Sequence, residues 1–409
     1  MIMKILYIYK KDSIMINKIK KLLLVQVLIM VIATIPTWSQ PFAIGHTTIN
    51  FIDASRNNRS IATEIYYPSD TAGNNVPMTI SSFEKFPALT FGHGFVMTWD
   101  AYQNIWEAIV PKGYIMAFPK TEGSISPSHT EYGKDLAFVS AQIFNLGMLQ
   151  STIFFDRVSL MNAVMGHSMG GGAAFLAPQY NSNIKTIITL AAAETNPSAI
   201  AAAGSLLIPA LVVAGANDCV TPPSTNQEAM YNSLGSNCKT YILINGGSHC
   251  QMANSNFFCN FGESTCTPQP TITRDEQHIV LDDYLILWLD AQLKLDCLAG
   301  QGFNNLISSD SRVTFQKNCL QCEPLNVTNV EKNEIELYPN PFSSVLNIKN
   351  PEKKRIIIKL FDSASRVLQS VEIMNEQDYL NTSLFASGIY WYEILSDDGF
   401  TKKGKIIKN

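Results

Sequence analysis

The segment from Asn162 to Ala174 constrains the fold of this chain more than any other stretch. Its first part is a short, mostly apolar stretch typical of a buried strand, and small residues then lead into a helical pattern. The sequence Gly-His-Ser-Met-Gly joins the two at residues 166–170. Glycines two positions to either side of a serine leave room for a sharp, strained turn that lifts the hydroxyl above the sheet. We therefore predict that Ser168 is a nucleophile; a glycine-rich turn without chemistry is the competing interpretation.

Apolar strands alternate with helical patterns on both sides of this segment. Two early strands at 46–53 and 61–67 are separated by a polar turn, which predicts an antiparallel pair. The buried strands and helices that follow predict an α/β fold, a mostly parallel sheet with helices on both faces. Ligand sites in such sheets lie beyond the carboxyl ends of the strands. Further strands are predicted at 86–91, 114–118, 184–190, 210–214 and 240–244, and helices at 101–110, 198–206, 224–234 and 274–293.

The first 39 residues have the features of an export signal. Lysines precede an apolar run from Leu22 to Ile35, and the small residues Thr37 and Ser39 suit a cleavage site after Ser39. The apolar run is short for a helix that spans a bilayer, although a membrane anchor is the alternative. We expect a signal peptide at 1–39 and a protein that is secreted or held at the cell surface.

All eight cysteines lie after residue 218. An even number in an exported protein predicts disulfides, although the sequence alone does not choose among the many connectivities. We favour the local pairs Cys259–Cys266 and Cys297–Cys319. A zinc cluster is the alternative, but only Cys319 and Cys322 have a ligand-like spacing and no second such pair accompanies them, so we expect no metal.

The charge balance excludes one large class of partner. The chain has 30 lysines and arginines against 34 aspartates and glutamates, a net charge of −4. Because no basic field is present to hold a polyanion, we expect no nucleic-acid partner. A hydrophobic content of 46% supports a packed core and argues against disorder.

A serine hydroxyl needs a base to remove its proton, and that base needs an acid to orient it. His249 follows a predicted strand in a glycine-rich loop, whereas His278 lies within a helical pattern, so we favour His249 as the base. Asp218 follows the preceding predicted strand, and we predict that it is the acid. A turn residue or helix cap is the alternative role for Asp218, and Glu194 is the reserve acid.

A tetrahedral intermediate needs two hydrogen-bond donors for its oxyanion. The Met169 amide is the first, because it stands at a helix N-terminus directly after Ser168. The loop after the strand at 86–91 supplies the second, which we assign to the Phe95 amide. In the walls of the substrate cleft we place Trp99, His167 and Glu194, with a core aromatic as the alternative for Trp99.

These residues resemble the α/β-hydrolase superfamily, and within it the group of polyester (PET) hydrolases, cutinases, chlorophyllases and platelet-activating-factor acetylhydrolase-like esterases. The resemblance implies a triad of Ser168, Asp218 and His249, with no metal or organic cofactor. Polyester hydrolases commonly carry Trp at the position of His167 and Tyr at that of Phe95. No insertion of cap-domain size appears between the strands, which indicates an open cleft. Cys297 and Cys319 resemble the C-terminal disulfide of that group. The resemblance extends from about residue 43 to 322. It rests on residues 59–68, 93–95, 166–171, 217–218 with Pro222, and 246–249.

The composition changes near residue 323. Residues 323–334 are polar and predict a linker, and residues 335–409 contain short alternating strands that predict a small all-β sandwich. Residues 336–342, 386–390 and 403–408 resemble the C-terminal sorting domain of the bacterial type IX secretion system. That resemblance implies export across the outer membrane of a Bacteroidota-type cell by the type IX machinery, with removal of the module or surface attachment. A carbohydrate-binding β module is the alternative.

Residues 40–322 are therefore predicted to be the catalytic domain of a secreted serine carboxylic-ester hydrolase. The predicted mechanism passes through an acyl-enzyme intermediate, and the predicted substrates are small or polymeric esters, including polyesters or lipid-like esters. We expect a monomer. Two alternatives stay open: a surface binding or adhesion protein on a hydrolase scaffold, and an amidase or peptidase with the same triad.

Overall fold

A computed structural model describes residues 41–80, 85–319, 335–362, 366–396 and 401–409. The chain divides into two compact units, Met1–Glu323 and Pro324–Asn409. The predicted signal peptide at 1–39 and the predicted linker at 323–334 lie outside the described residues. Among the described residues, no helix combines the length and the apolar character needed to cross a membrane.

The first unit is built on a ten-stranded sheet in the order β10-β9-β8-β7-β6-β4-β5-β2-β1-β3. Strands β4 to β9 run parallel to one another, whereas β2 pairs antiparallel with β5 and with β1, and β10 pairs antiparallel with β9. This arrangement confirms the predicted fold class. The strands are β1 Ala43–Asp53, β2 Arg59–Ser69, β3 Gly73–Asn74, β4 Phe86–Gly92, β5 Ile115–Pro119, β6 Val158–His167, β7 Thr186–Leu190, β8 Ala210–Gly215, β9 Cys238–Ile244 and β10 Val313–Cys319.

Helices cover both faces of this sheet, as predicted. Alternate residues of one strand face opposite sides, so Met165 of β6 joins the core cluster under α1, α7 and α8, while Val164 joins the cluster under α2 to α5. Nearly every residue of the central strands is buried. The helices are α1 Gln103–Ile109, α2 His129–Leu146, α3 Met169–Leu176, α4 Ala199–Ala203, α5 Gln227–Ser233, α6 Phe257–Ser264, α7 Arg274–Leu293 and α8 Cys297–Ser309.

Four elements of this unit, β3, β10, α6 and α8, were not expected from the sequence. Strand β10 lies at the edge of the sheet and exposes most of its side chains, so it lacks the apolar run that marks the central strands. In helix α6 the buried residue is Glu263, and the three phenylalanines are exposed, so its apolar side chains do not face the core. Neither β10 nor α6 therefore has the core-facing apolar pattern from which the central strands were predicted.

The disulfides correct both predicted pairs. The bonds are Cys219–Cys266, Cys238–Cys319 and Cys250–Cys259, so Cys259–Cys266 is wrong. Cys297 is also disulfide-bonded, but Cys319 bonds to Cys238, so Cys297–Cys319 is wrong as well. The antiparallel register of β10 on β9 places Cys319 directly opposite Cys238. The error follows from the missed strand.

The second unit is all-β, as predicted. It contains a three-stranded sheet, β11-β12-β15, and a four-stranded sheet, β14-β13-β16-β17, both antiparallel. Inward residues of both sheets, such as Leu346 of one and Ile358 of the other, share one apolar cluster, which makes the unit a sandwich. The strands are β11 Glu336–Tyr338, β12 Val345–Lys349, β13 Ile356–Phe361, β14 Val367–Ile373, β15 Gln377–Asn381, β16 Gly388–Ser396 and β17 Thr401–Lys408.

Candidate active site

Ser168 occupies the sharp turn between β6 and α3. Its backbone has φ 54° and ψ −121°, a conformation that a residue with a side chain rarely adopts. A Cβ at Gly166 would overlap the carbonyl of Gly170, and a Cβ at Gly170 would overlap the carbonyl of Gly92. The Ser168 amide donates to Leu190 O at 3.0 Å, which ties the turn to the next strand. Close backbone packing thus requires both glycines and forces the strain onto the serine.

This strain predicts a difference in stability between two variants that both lack the hydroxyl. Glycine at position 168 relieves the positive φ but adds freedom to the unfolded chain. We expect the free energy of unfolding of the Ser168→Gly protein to be about 1 kcal/mol higher than that of the Ser168→Ala protein. The relief of backbone strain outweighs the added conformational entropy of the unfolded chain. Denaturant titration measures the difference. An equal or lower value for the glycine variant would show that the turn is unstrained.

Three predicted side chains meet beyond the carboxyl ends of the strands. His249 Nε2 lies 2.9 Å from Ser168 Oγ, and His249 Nδ1 lies 2.8 Å from Asp218 Oδ2. All three residues are buried. Ser168 follows β6, Asp218 follows β8 and His249 follows β9, so the parallel sheet brings together residues that are far apart in the chain. In this arrangement the imidazole can take the proton of the hydroxyl while the carboxylate orients the ring.

The Asp218 carboxylate is held by its own loop. Its Oδ1 accepts from the amides of Val220 at 2.9 Å and Thr221 at 2.7 Å, and the Thr221 hydroxyl donates to Oδ2 at 2.9 Å. The same hydroxyl lies 3.0 Å from His249 Nδ1 and accepts from Gln227 Nε2 at 2.9 Å. Sequence reasoning missed Thr221 and Gln227. The only local signal was a threonine three positions after an aspartate, a pattern typical of side-chain-capped turns.

The two competing candidates lie elsewhere. His278 Nε2 is 3.3 Å from the carbonyl oxygen of Ala253. Glu194 is exposed, and its carboxylate accepts from the Ile200 amide at 3.1 Å instead of approaching His249. In the structure His249 and Asp218 form the hydrogen bonds that lead to Ser168, whereas His278 and Glu194 have other partners.

His167 is fully buried behind His249 and does not line the cleft where we expected it. Burial, reinforced by the neighbouring His249, lowers the pKa of His167 well below its ordinary value, so the ring is neutral. Its Nδ1 accepts from the Tyr102 hydroxyl at 2.9 Å, and its Nε2–H donates to His249 O at 3.1 Å. The Tyr102 oxygen accepts from the Gly94 amide at 2.7 Å. His167 thus links the backbone of the histidine loop to the loop after β4.

The two predicted oxyanion donors come from two separate segments of the chain, the start of α3 and the loop after β4. Met169 begins α3, so its amide belongs to the first helical turn, which has no intrahelical acceptor. Phe95 lies in a tight turn closed by a bond from the Met97 amide to Gly94 O at 3.1 Å. The Phe95 side chain is 47% exposed and borders the same cavity as Ser168.

A cavity of about 280 Å³ opens at Ser168 and His249. Trp99 is not among its described lining residues; it packs with His46, Tyr66 and Trp106 in an aromatic cluster, the alternative position considered for it. Helix α6 forms one wall, which the sequence did not predict. The other lining residues are Phe95, Val96, Met97, Val220, Phe258, Cys259, Phe261 and Gly262.

Comparison with known proteins is consistent with this geometry. Residues 34–264, more than half of the chain, match the family model described as PET hydrolase-like. The chain belongs to the PET hydrolase-like family. Residues 336–409 match the secretion system C-terminal sorting domain, and the resemblance to the type IX sorting domain is thereby confirmed. Family membership and the sorting domain together support a secreted ester hydrolase.

Individual relatives are similar over part of their length. Cutinase 1 of Thermobifida cellulosilytica is 24% identical over 52% of this chain and 72% of its own length. Cutinase est1 of Thermobifida alba is 33% identical over 45% of this chain and 56% of its own length. A bis(hydroxyethyl) terephthalate hydrolase of Streptomyces coelicolor is 22% identical over 47% of this chain and 56% of its own length.

Proposed function

We propose that this protein is a serine carboxylic-ester hydrolase that works through an acyl-enzyme intermediate. His249 Nε2 takes the proton from Ser168 Oγ as that oxygen attacks the ester carbonyl carbon. The amides of Phe95 and Met169 stabilise the oxyanion of the tetrahedral intermediate. His249 then donates the proton to the departing alkoxide, which leaves as the alcohol. A water molecule, deprotonated by His249, releases the acid and restores the serine.

The observation that carries this proposal is the unbroken set of hydrogen bonds from Ser168 Oγ through His249 to Asp218. Asp218 Oδ2 accepts the Nδ1 proton, so Nε2 keeps its lone pair toward the serine. The carboxylate orients the ring and stabilises the imidazolium, and the proton itself stays on histidine. Because all three groups are buried, the surrounding low dielectric strengthens their interactions.

Apolar esters, including units of polyesters, are the proposed substrates. The cavity at Ser168 is lined mainly by phenylalanine, valine and methionine, which favours an uncharged acyl group. The relatives named as cutinases and as a bis(hydroxyethyl) terephthalate hydrolase support the same class. An amidase with this triad differs only in its leaving group. A binding protein on this scaffold would not need the intact proton relay.

Export is part of the proposal. The sorting domain supports delivery to the cell exterior or surface. The signal peptide at 1–39, a Bacteroidota-type cell and a monomeric state remain predictions from the sequence.

Covalent labelling tests the proposed mechanism. A fluorophosphonate should modify the full-length protein at one serine, since only an activated hydroxyl attacks phosphorus at a useful rate. Peptide mass mapping is expected to place the label on Ser168, and His249→Gln should abolish it because the base is missing. A folded protein that resists labelling would favour the binding protein. A label on another serine would overturn the assignment of the nucleophile.

A further inference from the structure

Helix α6 presents three phenylalanines to solvent beside the active site. Phe257, Phe258 and Phe261 are 75%, 60% and 64% exposed. Phe257 and Phe258 meet edge to face with ring centroids 5.5 Å apart, and the rings of Phe257 and Phe261 are nearly parallel with centroids 6.3 Å apart. Burying aromatic rings is strongly favourable, so an exposed group of them indicates a surface that binds something apolar. We call these three residues the α6 platform.

The α6 platform is continuous with the catalytic cavity. Phe258 and Phe261 line that cavity together with Ser168 and His249, while Phe257 lies outside it on the open side of the helix. A ligand that reaches across the three rings would therefore place one end at the serine. The cavity volume of about 280 Å³ is at the lower limit of small-molecule sites. A long ester chain must extend beyond it.

Disulfides fix the α6 platform to the catalytic loops. Cys259 within α6 bonds to Cys250, the residue after His249. Cys266, just past the end of α6, bonds to Cys219, the residue after Asp218. A cross-linked helix loses little further freedom when a ligand binds, so its exposed rings are preorganised.

A buried polar contact adds to these covalent links. Glu263 Oε1 accepts from the Cys250 amide at 3.0 Å, and Arg274 donates to the carbonyls of Cys250 and Ala253 and to Asn260 Oδ1. The two disulfides and these hydrogen bonds therefore fix the position of α6, and with it the position of its phenylalanines, relative to the catalytic loops.

We propose that the α6 platform binds the flanking repeat units of an extended polyester chain while one ester bond lies at Ser168. This proposal rests on the proposed function and adds where a polymer is held. Residues 253–272 contain no lysine or arginine, so the surface lacks the basic residues that draw helices to anionic membranes. An uncharged polymer with aromatic units therefore fits this surface better than an anionic membrane does.

Adsorption measured without catalysis tests the α6 platform. Two full-length proteins are compared, one with Ser168→Ala alone and one with both Ser168→Ala and Phe257→Ser. Each is incubated with poly(ethylene terephthalate) film and, separately, with neutral phosphatidylcholine vesicles. We expect Phe257→Ser to lower the partition onto film about tenfold, the effect of losing roughly 1.4 kcal/mol of apolar burial. Phe257→Tyr keeps the ring and should stay within about twofold of the parent.

Phe155→Ser is the matched control. Phe155 is 42% exposed and precedes β6, so it lies at the opposite end of the sheet from the active site. We expect this variant to adsorb as the parent does. Equal adsorption of the Phe257→Ser and Phe155→Ser proteins would overturn the proposal. A loss confined to the lipid vesicles would also overturn it, in favour of a lipid-binding surface.

With Ser168 restored, the ratio of film hydrolysis to short nitrophenyl ester hydrolysis should fall about tenfold for Phe257→Ser relative to Phe155→Ser. An unchanged ratio contradicts the α6 platform and leaves the esterase assignment intact. Absence of turnover on every ester contradicts the proposed function instead, and the adsorption measurement still decides the α6 platform.

Discussion

Replacing Ser168 by alanine is expected to lower kcat for a short-chain nitrophenyl ester by about a millionfold. The hydroxyl is the atom that attacks the carbonyl, and no other described nucleophile lies within hydrogen-bond distance of His249 Nε2. Removing the serine or the histidine of a serine triad costs about as much as removing all three residues, because the residues act as a unit. The residual rate reflects the oxyanion donors and substrate binding alone.

Stopped assays on the purified variant measure this loss. Ser205→Ala provides the control, since that exposed hydroxyl only donates to Ala202 O at 2.8 Å near the end of α4. Both proteins should unfold close to the parent's melting temperature. Turnover by Ser168→Ala above about one hundredth of the parental rate would refute the nucleophile assignment, since a triad serine contributes far more.

Replacing Asp218 by asparagine is expected to lower kcat about ten-thousandfold with little change in the fold. The Val220 and Thr221 amides hold Oδ1, so an asparagine at 218 would keep its carbonyl oxygen there and turn its NH₂ toward His249. An NH₂ facing Nδ1 favours the tautomer with the proton on Nε2. That tautomer cannot accept the proton of Ser168.

Glu194→Gln is the matched control for this experiment, because Glu194 is the other carboxylate that the sequence placed at a strand end. Its contact with the Ile200 amide predicts activity within about twofold of the parent. Steady-state kinetics on the three proteins decide the matter. If Glu194→Gln were the slower variant, the acid would have to be reassigned.

Local patterns predicted the framework of this protein. Periodicity located the central strands and α7, and the glycine spacing around Ser168 identified the turn that the backbone strains. The order of the residues along the chain then indicated Asp218 and His249, because residues that follow parallel strands lie at the same edge of the sheet. The same reasoning failed for β10, whose side chains are mostly exposed, and for α6, whose phenylalanines face outward and not toward the core.

The cleft was the least predictable part. The sequence assigned Trp99, His167 and Glu194 to its walls because they stand near strand ends. In the structure, Trp99 packs in an aromatic cluster and His167 supports the backbone of His249 from behind. Which way a side chain leaves a loop depends on packing against distant segments, and no local pattern records those contacts.

The sequence by itself determined the α/β fold, the strained serine turn, the order of the proposed triad and the sorting domain, because each is written in spacing over a few neighbouring residues. Only the tertiary structure decided the disulfide pairing, the aromatic wall formed by α6 and the support of His249 by His167. The Cys219–Cys266 bond and the contact between His167 and His249 join segments tens of residues apart, and their geometry is set by how distant parts of the chain pack together.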